Sequence, residues 1–225
     1  MIEQIKIGCA STKTTYGHRL DTTLVELNSD AKISGLFTSN KFKSAPVQIC
    51  LDQLEAKMKG KKMLAINAGN ANAATGKKGV SDAKKLIQEI SNLTNISTTQ
   101  ILPFSTGVVG QLLNVKQLSS AFNKCFKNLS KNSWDDFAKA IMTTDTKSKI
   151  IKLPFKAGSK KYHIVGIAKG VGMIEPNMAT TLSYVFTDLK IPELALRKLH
   201  KRICDKTFNA ISIDGDQSPS CLLYT

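Results

Sequence analysis

The chain predicts a mixed α/β fold. Two-residue and 3.6-residue hydrophobic periods alternate from end to end, with no low-complexity segment and no short repeat. Its 225 residues are 42% hydrophobic and 22% charged, ordinary values for a globular chain long enough for one large domain or two small ones. Small polar runs follow several of the apolar strands, as in α/β proteins that bind ligands beyond strand ends.

Taken in order, strands are expected at Thr23 to Leu27, Ile33 to Thr38, Met63 to Asn67, Ile101 to Ser105, Lys149 to Phe155 and Tyr162 to Ala168. The last two are joined by Lys156-Ala157-Gly158-Ser159-Lys160, which reads as a hairpin loop. The run from Thr180 to Phe186 reads as a further strand. Helices are expected at Pro46 to Lys57, Ser81 to Leu93, Lys116 to Leu129, Ser133 to Met142 and Pro192 to Lys206. In the second, Val80, Ala83, Leu86, Ile87, Ile90 and Leu93 form one apolar stripe. In the fourth, Ser133 stands as the N-cap, with Trp134, Phe137, Ala138 and Ile141 facing inward.

The formal net charge is +15, from 32 Lys and Arg against 17 Asp and Glu. Only Arg19, Arg197 and Arg202 are arginines, and the lysines are scattered as pairs (Lys61/Lys62, Lys77/Lys78, Lys84/Lys85, Lys160/Lys161) with few aromatics between them. That spread fits a solvated surface better than a nucleic-acid footprint, which needs clustered cations and stacking platforms. The five cysteines form no C-x-x-C pair and the three histidines no H-E-x-x-H; reduced buried thiols and no metal are expected. No apolar run approaches the ~20 residues of a membrane span. The amino end lacks a secretory layout, so a cytoplasmic protein without membrane contact is the expectation.

Four small-residue segments could share one cleft: Asn67 to Gly76, Ser105 to Gly110, Thr143 to Thr146, and Lys169 to Thr180. None fits a nucleotide loop. Gly69 to Gly76 has the wrong spacing for a P-loop, Gly170-x-Gly172 is followed by Glu175 in place of a third glycine, and no G-x-S-x-G elbow exists. A hydroxyl without a histidine base can instead be served by its own α-amine, once the peptide bond before it is cut. Ala179-Thr180 suits that chemistry, because Ala179 is small and the run before it holds glycines and Pro176. Taken alone, the same residues also read as an ordinary strand start.

The run from Gly166 to Thr180, with Gly170-Val171-Gly172-Met173-Ile174-Glu175-Pro176-Asn177-Met178-Ala179-Thr180 at its end, resembles the self-cleavage region of the ornithine acetyltransferase family, also called glutamate N-acetyltransferases or arginine-biosynthesis bifunctional proteins. Further resemblance lies at Gly35 to Lys41, Ala45-Pro46-Val47, Asn67 to Gly76, Leu102 to Gly110, Ile141 to Thr146, and Phe208 through Asp216. It covers nearly the whole chain. The fold it implies is a layered α/β sandwich with mixed sheets, of the N-terminal-nucleophile type shared with DmpA-like aminopeptidases.

The resemblance implies cleavage between Ala179 and Thr180, giving an α chain of residues 1–179 and a β chain beginning at Thr180. The Thr180 hydroxyl would take acetyl from N2-acetylornithine and pass it to glutamate. Thr106 and Gly107 match the family's oxyanion hole; Thr143 and Lys169 match substrate-binding positions, with Thr180. Asn70, Asn72 and Thr144 are expected to support the loops. No cofactor is implied, and acceptance of acetyl-CoA as a donor is left open. The implied assembly is a heterotetramer of two α and two β chains. Gln217-Ser218-Pro219-Ser220 departs from the usual Thr-Ser-Thr-Asn after Asp-Gly-Asp. The family continues well past residue 220, so the chain reads as a fragment: residues 180–220 are the start of the β chain, and residues 221–225 read as a non-native tail, since a translated sequencing-adaptor end gives Cys-Leu-Leu-Tyr-Thr. Such a fragment could be inactive, with core faces such as one side of the Pro192 to Lys206 helix uncovered. The alternatives are an N-terminal-nucleophile aminopeptidase, with water as acceptor, and a basic nucleic-acid-binding protein.

Overall fold

A computed structural model describes residues 2–172 and 181–212, and the backbone of 222–224. Among the described residues, nine strands form two mixed sheets. The first sheet has the order β1 (Lys6–Ala10), β2 (Thr22–Leu27), β4 (Lys62–Asn70), β5 (Ile101–Val108), antiparallel except for the parallel β4–β5 pair. The second runs β3 (Gly35–Phe37), β9 (Leu222–Tyr224), β8 (Leu182–Thr187), β7 (Lys160–Lys169), β6 (Lys149–Ala157), antiparallel except for β8–β9. The helices are α1 (Ala45–Glu55), α2 (Gly76–Thr94), α3 (Val115–Lys127), α4 (Trp134–Ala140) and α5 (Glu193–Lys206).

Alternation along the strands sends side chains to two separate cores. One face of the first sheet (Leu24, Met63, Ala65, Ile101) packs against Leu86, Ile87 and Ile90 of α2 and Phe122 and Cys125 of α3. The other face (Val25, Leu64, Ile66, Leu102, Phe104) meets Val165, Ile167, Tyr184 and Phe186 of the second sheet, with Trp134 and Phe137 of α4 wedged in. Aromatic rings tie these layers. Phe104 meets Tyr184 edge-on at 5.4 Å between centroids, and Phe137 lies 5.1 Å from Tyr184. The α3 helix lies so close to β1 that a Cβ on Gly8 would stand 1.9 Å from the Cys125 carbonyl oxygen.

Every helix expected from the sequence is present, as are the six internal strands, with shifted ends. The strand β1 was not expected at all. The β6–β7 hairpin closes through only Gly158-Ser159, with Gly158 at φ +63°, so both strands extend further into the expected loop. The α2 helix begins at Gly76 rather than Ser81, its first turn closed by the Gly79 N–H donating to the Thr75 carbonyl at 3.1 Å. Within its stripe Ala83, Leu86, Ile87 and Ile90 are buried while Val80 and Leu93 are only half-buried. Ser133 does occupy the N-cap of α4, but its hydroxyl pairs with Ser130 Oγ at 2.9 Å instead of capping the helix. Trp134, Phe137, Ala138 and Ile141 all face the core.

Cys9, Cys50, Cys125 and Cys204 are buried thiols, none joined in a disulfide among the described residues, and burial pushes the Cys9 and Cys125 thiols up to about 12. The lysines are mostly solvated, with Lys62 a correction to that reading. It is buried and donates to the Ser29 and Gly60 carbonyls at 3.0 and 2.8 Å. On α5, Leu196, His200 and Cys204 are buried, whereas Leu194, Leu199 and Ile203 are exposed. No helix among the described residues is long and apolar enough to cross a membrane.

Candidate active site

The first half of the site is built by the adjacent ends of β4 and β5. Their parallel ladder runs past the apolar stretch into Ala68-Gly69-Asn70 and Thr106-Gly107-Val108, with Gly69 opposite Gly107. Gly107 has φ +129°, and a Cβ there would lie 2.4 Å from the Gly69 carbonyl carbon and 2.7 Å from the Asn70 nitrogen. Only glycine lets the two backbones approach in this way. Thr106 is buried and alternates onto the same face as Leu102 and Phe104, which looks into the space between the sheets. Its hydroxyl has no hydrogen-bond partner among the described residues, leaving a donor for a bound group.

Neighbouring amides fix the strand ends. Ser105 Oγ donates to Asn67 Oδ1 at 2.7 Å, and Asn67 Nδ2 donates to the Asn70 carbonyl at 2.9 Å. Asn70 Nδ2 reaches the Gln111 and Leu112 carbonyls, each at 3.1 Å, and Asn72 Nδ2 the Gly79 carbonyl at 3.0 Å. Asn70 and Asn72 thus serve the loops, as expected from the sequence. Thr144 is exposed and makes no such bond among the described residues.

The second half belongs to the other sheet. Lys169, the last residue of β7, is buried; alternation and its pairing with Leu182 place it on the inward face shared by Val165, Ile167 and Leu182. Its ammonium donates to Thr143 Oγ1 at 3.3 Å. Asp145, two residues beyond Thr143, is also buried. It accepts the Thr143 N–H on Oδ2 at 3.3 Å, the Gly170 N–H on Oδ1 at 2.9 Å, and the Lys149 ammonium on Oδ1. Burial alone would raise its pKa, but the Gly170 N–H, Lys149 and the Thr143 N–H outweigh it and hold the carboxyl below its ordinary value.

The segment 11–20 bridges the halves. A Cβ on Gly69 would meet Thr15 Oγ1 at 2.9 Å and Tyr16 at 3.4 Å, so this segment lies directly over the β4 end. Tyr16 stacks under the Arg19 guanidinium, 3.8 Å from the ring centroid, and Arg19 Nη2 donates to the Met142 carbonyl at 2.8 Å. Buried Asp21 anchors the segment by accepting the Thr12 N–H at 2.8 Å; burial raises its pKa against the opposing pull of Thr12 and Arg19. Contacts therefore run unbroken from Gly107 through Gly69, Tyr16, Arg19 and Met142 to Thr143 and Lys169.

Of the residues singled out in the sequence, Thr106 and Gly107 sit together at the end of the first sheet, and Thr143 and Lys169 touch at the end of the second. Ala179 and Thr180 lie outside the described residues. Thr180 precedes by two positions Leu182, the first residue of β8, and Leu182 pairs with Lys169. Sequence reasoning did not assign roles to Asp145, Arg19 or Tyr16. Among the described residues no group of three or more His, Cys, Asp or Glu is arranged to hold a metal ion.

Two mixed sheets packed face to face, with helices on the outer face of the first, form the layered α/β sandwich of the N-terminal-nucleophile class. The chain belongs to the ArgJ family, whose sequence model matches residues 4–224. It is 40% identical over 226 residues to the arginine biosynthesis bifunctional protein ArgJ of Colwellia psychrerythraea, and 36% over 224 residues to that of Methylococcus capsulatus. These matches cover 96% and 99% of this chain but 53% and 54% of the relatives, so the chain spans about half the length of the curated proteins it matches. The crystal structure of the Bacillus halodurans ArgJ protein superposes with a TM-score of 0.66 at 27% identity, over 79% of this chain and 92% of that one. The ornithine acetyltransferase of Mycobacterium tuberculosis, complexed with ornithine, shares the fold with a TM-score of 0.62 at 24% identity, over 77% of this chain and 91% of that one.

Proposed function

We propose that the chain forms the acetyl-transfer centre of a self-cleaving arginine-biosynthetic enzyme, moving acetyl from N2-acetylornithine to glutamate through an acetyl ester on Thr180. The observation that carries this reading is the junction of Lys169 with Thr143 on the inward face, directly beside Leu182 and two residues along the chain from Thr180. The Lys169 ammonium and Thr143 hydroxyl suit an amino-acid carboxylate.

In the first reaction the Thr180 hydroxyl attacks the Ala179 carbonyl, the peptide C–N bond breaks as the nitrogen takes up the proton, and water hydrolyses the resulting ester. That leaves an α chain of residues 1–179 and a β chain with a free amine at Thr180. The amine then removes the proton from its own hydroxyl, whose oxygen attacks the acetyl carbonyl of acetylornithine. Thr106 and the backbone at Gly107 donate to the oxyanion. Ornithine leaves with the proton, glutamate's amine attacks the ester, and Thr180 regains its hydrogen. The cycle needs no cofactor; acetyl-CoA could donate only by replacing acetylornithine in the first half. Two α and two β chains as the working assembly belong to the same reading.

Mass spectrometry of the complete gene product tests it. Two polypeptides are expected, one beginning at Thr180, with Thr180→Ala leaving a single unbroken one. Labelled acetyl should pass from acetylornithine to glutamate. Release of amino acids from small peptides without acetyl transfer would make the protein an aminopeptidase, and an unbroken wild-type chain with full turnover would refute the nucleophile.

A further inference from the structure

We infer that Asp145 is the positioning residue of the substrate pocket, an inference that rests on the acetyl-transfer reading and adds to it the group that sets the amino-acid-binding pair. Thr143 lies between α4 and β6 in a segment without regular structure, whereas Lys169 and Gly170 end β7. One carboxylate, its side chain 1% exposed, joins the two. It takes the backbone N–H of Thr143 on one oxygen and that of Gly170 on the other. Those amides flank the hydroxyl and the ammonium that meet at 3.3 Å.

Every group around the carboxylate is a donor, so the ionised form is the one that fits. An amide could accept on one side only and would turn its own N–H₂ toward an N–H on the other. Lys149 offsets the negative charge, which keeps the clamp from repelling an anionic substrate close by. Gly170 has φ +147°, a backbone conformation that side chains rarely adopt, and the strand leaves its ladder at the residue Asp145 grips. From the other side Arg19 holds the Met142 carbonyl, so the peptide before Thr143 is held at its carbonyl by Arg19 and at its N–H by Asp145, itself tied to Gly170. Asp145 itself touches no reacting atom in this scheme. It acts through Thr143 and Lys169.

The test uses the complete gene product with Asp145→Asn and, because loss of a buried charge can prevent folding, Asp145→Glu, whose extra methylene displaces the clamp while keeping its charge. Either substitution should raise KM for acetylornithine at least tenfold while kcat stays within threefold. Lys152→Met, on the same strand but paired with Asp135 outside the clamp, should change KM by less than threefold. Calorimetric titration with ornithine gives a readout that needs no turnover, and Kd should rise by the same factor as KM. A fall in kcat with KM unchanged would mark a merely structural residue and overturn the inference; so would a rise with Lys152→Met as large as with Asp145→Asn. If the wild type binds ornithine but transfers no acetyl, the proposed reaction falls, and Asp145 is judged on Kd alone. Equal Kd in wild type and variants, or no binding by the wild type, overturns the positioning role.

Discussion

Replacing Gly107 with Ala probes the closest backbone approach in the candidate site. The new Cβ would lie 2.4 Å from the Gly69 carbonyl carbon and 2.7 Å from both the Gly69 Cα and the Asn70 nitrogen. All three are main-chain atoms of a paired strand, so none can swing aside, and ordinary contact at 3.4 Å requires the strands to part by about 1 Å. Two penalties add. Holding alanine at φ +129° costs about 1–3 kcal/mol, and forcing a methyl into packed backbone about the same again, giving roughly 2–6 kcal/mol. Urea unfolding followed by circular dichroism measures the loss, with an unchanged m-value as the check that the end states are the same. The control is Gly158→Ala, at φ +63° with nothing within 4 Å, for which only the left-handed backbone penalty of about 1–2 kcal/mol is expected. Equal destabilisation by the two substitutions would show that the β4–β5 approach is not tight, and the geometric case for a glycine at the proposed oxyanion position would fail with it.

Two further outcomes follow from the core. His200 is buried, with Nδ1 2.9 Å from Ser34 Oγ and Nε2 without a partner; burial lowers its pKa from 6.5 to about 4. The neutral ring is therefore favoured in the folded state. Stability should be full above pH 6.5, decline as pH falls toward 4, and level off below, by about 3 kcal/mol in all. The difference between wild type and His200→Asn, measured by urea unfolding at successive pH values, should shrink over that window, and a flat difference would contradict the burial argument. Phe137 is fully buried against Tyr184 at 5.1 Å and Phe186 at 6.2 Å. Phe137→Ala should lower unfolding free energy by about 3–5 kcal/mol, and a loss under about 2 would show that α4 does not hold the sheets together.

What the sequence disclosed and what it hid divide along one physical line, the range over which the deciding contact acts. The apolar periods of β2, β7 and the helices are local signals, and these elements were legible. The strand β1 was not, because Lys6-Ile7-Gly8-Cys9-Ala10 is short and its glycine is set by the distant α3 backbone that passes over it. The ends of β4 and β5 read as loops because Ala68-Gly69-Asn70 and Thr106-Gly107 carry no β-forming bulk. They stay extended because each completes the other's ladder, which neither segment can express alone. In the same way Gly76-Lys77-Lys78-Gly79 has poor helix propensity, and the Thr75 and Asn72 contacts to Gly79 close the turn.

The site follows the same division, and that explains why motif resemblance reached further than pattern reading. Thr106, Gly107, Thr143 and Lys169 belong to runs that match a family, so each could be named without knowing what it touches. Asp145 lies in one of those runs, but nothing local marks it, since its partner Gly170 lies 25 residues away and becomes adjacent only when β7 returns along β6. Arg19 is further still, 123 residues from the Met142 carbonyl it holds. Residues proposed to contact substrate lie in recognisable local runs. Those that hold such residues in place are chosen by what folds back against them. A buried carboxylate surrounded only by donors is therefore better evidence of a positioning role than any run of letters, because burying the charge is tolerable only where the fold supplies each of those donors.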